Sequence, residues 1–505
     1  MEKAEALKRL LRPASVAFIG GDSAAEAIRQ CQAIGFDGEM WAVNQTRASL
    51  AGIPCVASLD ALPAVPDASF IAAPPEASLA LIAQLAATGA PGAVCFAAGF
   101  AETGATGAEL QTRLCKAAGD MAVIGPNCHG FVNYLDGVAL WPDQHGGRRV
   151  QRGAALVTQS GNIAINLTMQ QRGLDIAYVL SGGNNSVLGL HDYIDALLSD
   201  QRVNAIGLHI EGIDDIAAFS TAAIRALKRR VPIVALKSGR SLQGAEIARS
   251  HTASLAGSDQ LYDALFRRLG IARCNTLSEF LETLKLVTIA GLPQRDSIGS
   301  MSCSGGDAAL VADVADRLGL PTPLLKEASK SRLQDLLGPN VHISNPLDYH
   351  LYVWADYDAL RACFSEMLQQ GFGCTLLVLD YPHSDASNID NWLVAERALT
   401  DAMAETGEMA VIVASLPETM PEIVRDRLKS IGIAPMQGID DCLFAIRAAA
   451  SIANAQGQSE ATPVLASKSR EPASAAWLNE WQSKRILDEM GVDVPGGRLC
   501  KADSV

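Results

Sequence analysis

The feature that most constrains this chain is a repeated one. A short apolar run ends in glycines and small polar residues just where a helical pattern begins. It recurs at Gly20–Ser23, Gly125–Gly130, Gln159–Asn162, Ser181–Asn184 and Ser304–Asp307. A buried strand that stops in such a turn delivers backbone N–H groups and a helix N-terminus to one edge of a sheet, which is a ready anion site. Strands that alternate with helices in this way call for parallel, doubly wound sheets. One turn of this kind is generic. Several on neighbouring sheets point to a large polyanionic ligand, or to a phosphate passed between sites.

Three α/β units follow from the pattern. The first has apolar runs at 15–20, 39–43, 68–72, 92–96 and 122–124, with helical patterns at 78–87 and 108–118. The second has runs at 154–158, 175–180, 205–210 and 232–237, and the third opens at 297 and continues through 308–318, 375–379 and 409–413. Residues 456–473 read as a linker, and Ala476–Met490 as one amphipathic helix. Low aromatic content (5%) with 43 glycines suits tight α/β layers better than a β-sandwich.

Charge narrows the function classes. A net charge of −14 argues against nucleic acid or an anionic membrane as the main partner, since both demand basic faces. The eleven cysteines form no C-x-x-C pair, so cysteine spacing offers neither a zinc site nor a dithiol. No signal-peptide core and no run of about 18 apolar residues is present, which predicts a soluble, cytoplasmic protein.

Several side chains stand out, each with two readings. His251 lies in a run of small residues, Arg249–Gly257, with further glycines at 239 and 244. Such a histidine suits a mobile, substrate-accessible role, or an ordinary surface one. Ser160-Gly161-Asn162 suits a phosphate cradle or a plain N-cap. Glu211, past the apolar run Ala205–Ile210, suits a carboxylate that orients an imidazole or a strand-end surface charge. Lys237 and Arg240 offer phosphate neutralisation or a basic turn. Cys128 and His129 together are a weak metal signal, and no metal site is assigned. His209, inside an apolar strand, reads as a satisfied core residue, and Asp348 as a cap or a ligand.

The runs Ile124–Gly130, Val157–Gly161, Leu236–Arg240 and Ser250–Asp259 occur in an order and spacing that resemble the NDP-forming acyl-CoA synthetases, relatives of succinyl-CoA synthetase, in particular the ADP-forming acetyl-CoA synthetase type. The resemblance covers essentially the whole sequence. It implies a CoA-binding Rossmann-like domain over 1–145, two flavodoxin-like ligase domains over 150–290 and 295–455, and the start of a truncated ATP-grasp domain over 474–505. It further implies that His251 is a phosphohistidine carrier oriented by Glu211. Ser160, Gly161, Asn162, Ser304, Gly305 and Gly306 would then hold phosphate. CoA would be bound by Gly20, Gly21, Asp22, Ser23, Asn44, Pro74 and Asn127. His129, Ser181, Gly182 and Asn184 would line the acyl pocket.

The implied reaction joins a small carboxylic acid to CoA at the expense of ATP, through an acyl phosphate. ATP, ADP and Mg²⁺ would be held mainly by the ATP-grasp part, and the enzyme would be a homodimer or higher oligomer. The alternatives are an acyl-CoA or nucleotide sensor without turnover, and an α-type subunit whose ATP-grasp partner is another chain. Three positions depart from the family pattern: the short Gly20–Ser23 loop, Gln45 in place of proline after Asn44, and His129 where leucine or serine is usual. Trp141, Tyr349 and Trp354 suit core packing or a pocket wall.

Overall fold

The computed structural model describes residues 3–241, 243–244, 259–382, 388–458, 462–464 and 478–497. Met1–Val464 is one compact unit and Leu465–Val505 a second. The first unit contains three sheets.

The first sheet holds β1 (Ser15–Gly20), β2 (Glu39–Val43), β3 (Ser49–Leu50), β4 (Ile53–Val56), β5 (Ala68–Ala72), β6 (Gly92–Cys95) and β7 (Ala122–Ile124), in the order β3-β4-β2-β1-β5-β6-β7. The second holds β8 (Gly130–Asn133), β9 (Val138–Leu140), β10 (Gly153–Thr158), β11 (Ile176–Ser181), β12 (Val203–Ile210), β13 (Ile233–Lys237) and β14 (Ala272–Cys274), in the order β14-β13-β12-β10-β11-β8-β9. The third is β15 (Ile298–Ser302), β16 (Leu347–Asp348), β17 (Cys374–Val378), β18 (Ala410–Ala414) and β19 (Pro435–Gln437), in the order β16-β15-β17-β18-β19. Strands β1, β10 and β15 each have their next strand on one side and the following crossover strand on the other. Each is therefore a topological switch point, where open α/β sheets bind ligands beyond the strand ends. The turns at Gly20, Ser160 and Ser304 lie at these points.

The expected parallel sheets are present, with strand limits within one or two residues of those read from the sequence. One boundary differs. Strands β8 and β9 fall within the stretch assigned to the first domain, yet β8 pairs antiparallel with β11 and β9 with β8. The first sheet ends at Ile124, and the chain extends the second sheet before the expected boundary at 145. Apolar runs of three or four residues carry no sign of which sheet they will join, because both sheets bury such runs on two faces.

The cores run between sheets. One cluster packs Phe18 and Phe70 with Phe131, Ala155 and Leu180, and another packs Leu156 and Val179 with Leu376 and Val411. The second and third sheets meet chiefly through the helices Leu277–Ile289 and Ile439–Gly457. A buried ion network is set into this junction. Glu282 and Lys285, both with side chains fully out of solvent, pair at 2.8 Å, and Arg172 Nη1 reaches Glu282 at 3.1 Å. The second carboxylate oxygen of Glu282 accepts the Gln437 amide at 3.0 Å. Burial lowers the Lys285 pKa, and the Glu282 carboxylate opposes that shift.

In the second unit, the described helix Glu480–Glu489 opens with a capping box between Asn479 and Gln482. Residues 476 and 477 of the expected helix lie outside the described residues.

Removing one member of a buried ion pair strands the others. Glu282→Ala is expected to lower stability by about 3–5 kcal/mol, read as a drop in denaturant midpoint. Asp440→Ala, which breaks an exposed pair with Arg317, is expected to cost no more than about 1 kcal/mol.

Candidate active site

The carboxyl ends of β10–β13 converge on a cross-linked polar edge. Thr158 Oγ1 donates to Ser160 O at 3.1 Å and accepts the Ser160 amide at 3.0 Å. With that hydrogen committed, His209 Nδ1 is the donor to Thr158 Oγ1 at 3.0 Å, and His209 Nε2 accepts from Ser238 Oγ at 2.6 Å. His209 is thus a neutral imidazole stitching three strand ends together, the satisfied core residue that its apolar run suggests. The Gln159 side chain fastens the next turn. Its Oε1 accepts the amides of Glu211 at 2.5 Å and Gly212 at 3.0 Å, and its Nε2 donates to Gly212 O at 3.0 Å.

Glu211 therefore stands on a turn held to the Ser160 turn. Beyond it, Lys237 lies over the Tyr262 ring at 4.7 Å. Burial lowers the Lys237 pKa, while Asp259 and Glu211 favour its charge. His251 lies outside the described residues, as do 245–250 and 252–258. The two sides of that stretch meet at this same edge, where Arg240 reaches Asp259 at 3.9 Å and Arg273 holds Asp259 at 2.5 Å.

The serine hydroxyls at two switch points act as N-caps. Ser160 Oγ accepts Ile163 N, and Ser304 Oγ accepts Asp307 N, both at 3.4 Å. Capping leaves the amides of Gly161 and Asn162, and of Gly305 and Gly306, at the helix mouths. The two mouths have different company. At the Ser160 mouth, His129 covers Gly161 so closely that a Cβ there would lie 2.4 Å from the ring Nδ1. His129 also meets Trp141 (5.4 Å between ring centroids) and Phe96 edge-on (6.0 Å), and its backbone amide donates to Ser181 Oγ at 3.1 Å. Burial lowers the His129 pKa, against the pull of Asp143. At the Ser304 mouth, Asp348 approaches Gly305, and the Asp307 carboxyl is raised by burial and by Asp380 and Asp348.

Two turns from neighbouring sheets interlock beside His129. Asn184 N donates to Pro126 O at 3.0 Å, Asn127 Nδ2 to Asn184 Oδ1 at 3.3 Å, and a Cβ at Gly183 would meet Asn127 O at 2.3 Å. Asn184 in turn donates to Glu102 at 2.5 Å. Burial pushes the Glu102 carboxyl up, but hydrogen bonds from Asn184 and Gly99 hold it below its usual range. His129, Ser160–Asn162, Ser181, Gly182, Asn127 and Asn184 therefore form one neighbourhood, with Glu211 tied to it through Gln159.

In the first sheet, Gly20 has φ +140°, and a Cβ there would lie 2.4 Å from Ala72 O. Asn44 Nδ2 donates to Gly20 O at 2.7 Å, while its Oδ1 accepts the amides of Thr46 and Arg47, each at 2.9 Å. That arrangement sets the Arg47 guanidinium over the turn, 2.7 Å from Asp22 and 3.8 Å from the open position above Gly21. An open glycine turn, a 12-residue helix mouth at Asp22 and an exposed guanidinium fit a phosphate-bearing chain such as CoA. Pro74 precedes the helix Pro75–Ala87 on the same edge.

Arg47 and Phe96 were not among the residues picked out from sequence, and Gln159 was picked out only as the start of its turn. An arginine three residues after Asn44 or a glutamine before a serine gives no signal until the turn geometry is known. Trp141 and Tyr349 are fully buried, and Trp354 stacks edge-on with Trp392 in the third core.

Comparison with known proteins adds a family. Residues 15–134 match a CoA binding domain, and residues 151–287 a succinyl-CoA ligase like flavodoxin domain. Over these regions the chain is similar to ADP-forming acetate–CoA ligases. The α subunit of acetate–CoA ligase [ADP-forming] II from Pyrococcus furiosus is 34% identical to this chain over 267 residues, 52% of this chain and 57% of that protein. Acetate–CoA ligase [ADP-forming] I from Archaeoglobus fulgidus is 29% identical over 378 residues, 72% of this chain and 52% of that protein. The chain thus spans between half and three-fifths of these two relatives' length. A structure of the Ca. Korarchaeum cryptofilum dinucleotide forming acetyl-coenzyme A synthetase 1 shares the fold, with a TM-score of 0.76 at 22% identity over 90% of this chain and 98% of that one.

The depressed His209 pKa, about 4 against 6.5, has burial as its first cause and the Lys237 charge as its second. The unfolded chain takes up this proton near pH 6.5 and the folded chain does not. Stability is full above that pH and declines by about 3 kcal/mol as pH falls toward 4. Melting temperature should fall across that window in the wild type and more shallowly in His209→Gln.

Proposed function

We propose that this chain carries the CoA- and acid-handling half of an ADP-forming acyl-CoA synthetase, which joins a carboxylic acid to CoA while ATP becomes ADP and phosphate. One observation carries the reading. The Gly125–Asn127 turn, within the stretch that matches a CoA binding domain, interlocks with the Ser181–Asn184 turn of the ligase domain, and His129 is thereby laid against the Ser160 helix mouth. CoA and an anion at that mouth would be neighbours.

The residues divide the work by their chemistry. The amides of Gly161 and Asn162 supply fixed dipoles for phosphoryl oxygens without a permanent cation. His251, by the family resemblance, attacks phosphorus as neutral imidazole, and Glu211 accepts from its other nitrogen to fix the tautomer. His129, Phe96 and Trp141 form an apolar, uncharged wall at the mouth, suited to the acyl group rather than to phosphate. Phosphate passes from nucleotide to His251 to the acid carboxylate, and the CoA thiolate then displaces it from the acyl phosphate. The nucleotide half-reaction, with Mg²⁺, we assign to the part of the relatives that this chain does not span. The α-subunit relative favours a form in which a second chain supplies it. A cytoplasmic oligomer is the setting we infer; among the described residues no helix is long and apolar enough to cross a membrane.

Two outcomes test the reading. With the nucleotide-binding part supplied and γ-labelled ATP, acid-labile phosphate should appear on the wild type, be absent from His251→Ala and fall at least tenfold in Glu211→Gln. Undiminished labelling of His251→Ala would refute the phosphohistidine. Gly161→Ala should displace the His129 ring and reduce kcat/KM for the acid at least tenfold, while calorimetric CoA affinity stays unchanged. Gly20→Val should do the reverse, losing CoA binding through its clash with Ala72 O.

A further inference from the structure

The candidate CoA contacts Gly20–Ser23, Asn44 and Pro74 follow β1, β2 and β5 at the carboxyl edge of the first sheet. The next strand along that edge, β6, runs into residues 96–104. This segment packs on the Pro75 helix at Gly99, where a Cβ would lie 2.9 Å from Pro75 Cγ. At its start Phe96 stands edge-on to His129 at 6.0 Å, and Ala97 O accepts the Asn127 amide at 2.8 Å. One short segment therefore lies beside the candidate CoA contacts and also forms part of the candidate acyl wall.

Glu102 ties that segment down. Its Oε1 accepts the amides of Gly99 at 2.6 Å and Phe100 at 3.1 Å, which folds the segment on itself. Its Oε2 accepts Asn184 Nδ2 at 2.5 Å, which fixes the segment to the ligase turn. The same Nδ2 reaches Gln111 Oε1 at 3.0 Å, on the helix Ala105–Ala118 that follows the segment. Asn184 is itself seated by its backbone amide on Pro126 O. A carboxylate suits this post because both oxygens can only accept, and bonds to an ionised acceptor are about twice as strong as neutral ones.

We propose that Glu102 is a positioning residue for thioester formation, clamping the 96–104 segment to Asn184 so that the thiol of CoA on the first sheet meets an acyl group at His129. The inference rests on the synthetase reading of this chain. In that step the thiolate sulfur attacks the acyl phosphate carbonyl carbon and a C–S bond forms. The C–O bond to phosphate then breaks, and phosphate leaves with the electron pair. Glu102 exchanges no proton with either reactant; it holds the two sheet edges in register, and small misplacements of reacting groups are costly. The clamp also couples the sites, because CoA that orders residues 96–104 orders the ligase turn through the same bond.

The test is hydrogen exchange of the chain with and without CoA. In the wild type CoA should slow exchange at the amides of 182–186 at least fivefold. Glu102→Ala should lose that slowing while calorimetric CoA affinity stays within threefold. Asn184→Asp, which sets a second carboxylate against the first, should lose it too. Adding Glu102→Gln to Asn184→Asp reverses the hydrogen bond, with the amide at 102 donating to the carboxylate at 184, and should restore the slowing. With the nucleotide-binding part supplied and acetate as the probe acid, Glu102→Ala should lower kcat at least tenfold and leave γ-phosphate labelling of the enzyme unchanged. Equal CoA-induced slowing in wild type and Glu102→Ala would overturn the proposal, as would CoA binding to the wild type without slowing. Should Glu102→Ala fail to fold, the reversed pair decides, and absence of restoration overturns the clamp. A wild type that binds no CoA defeats the synthetase reading as well, and calorimetry shows that outcome separately.

Discussion

A parallel sheet buried on both faces sends all its strands out at one edge. The backbone groups released there must find partners or bind a ligand. Everything specific about this molecule follows from how that edge is closed at β10–β13. Thr158, His209 and Ser238 tie three strand ends by short hydrogen bonds, and Gln159 fastens the Glu211 turn to the same edge. These bonds consume the side-chain donors and acceptors of the edge. The helix mouth at Gly161 and Asn162 is left with amides held in place by these bonds, which is the condition the proposed anion site needs for electrostatic stabilisation without reorganisation.

The second consequence concerns what may approach that mouth. Gly161 is a glycine because the imidazole of His129 occupies the space a side chain would need. His129 is held there by a turn that arrives from the first sheet, so this contact adds to those between the Pro126–Asn127 and Gly183–Asn184 turns in joining the two regions. The union of the second and third sheets is of another kind. Glu282, Lys285, Arg172 and Gln437 meet with no solvent at Glu282 or Lys285, an arrangement that tolerates little misalignment because each charge depends on the others. Rigid joints of this sort suit a protein that must present two sheet edges in fixed relation.

Much of this was legible in the chain. Ser160-Gly161-Asn162 and Ser304-Gly305-Gly306 announce strand-to-helix turns, since serine caps and glycine admits close approach, and both turns are found with their serines as caps. His209 reads as a core residue from its apolar neighbours and is one. The antiparallel extension by β8 and β9 was not legible. Runs as short as Gly130–Asn133 and Val138–Leu140 pair with whichever edge tertiary packing brings near. Nor was the role of Asn44, which anchors the Gly20 turn and aims Arg47, because a side chain that bonds backbone 24 residues away leaves no periodic trace.

The sequence by itself determined the layered α/β class, the positions of the glycine and serine turns and the resemblance to acyl-CoA synthetases, because periodicity, caps and ordered motifs are local properties of the chain. Only the tertiary structure decided which turns become neighbours. It set the Gly125–Asn127 turn into the Ser181–Asn184 turn and laid His129 on Gly161. The reason is physical: contacts between residues tens to hundreds of positions apart depend on how whole sheets pack, and packing is the sum of many weak terms that no single stretch of sequence contains.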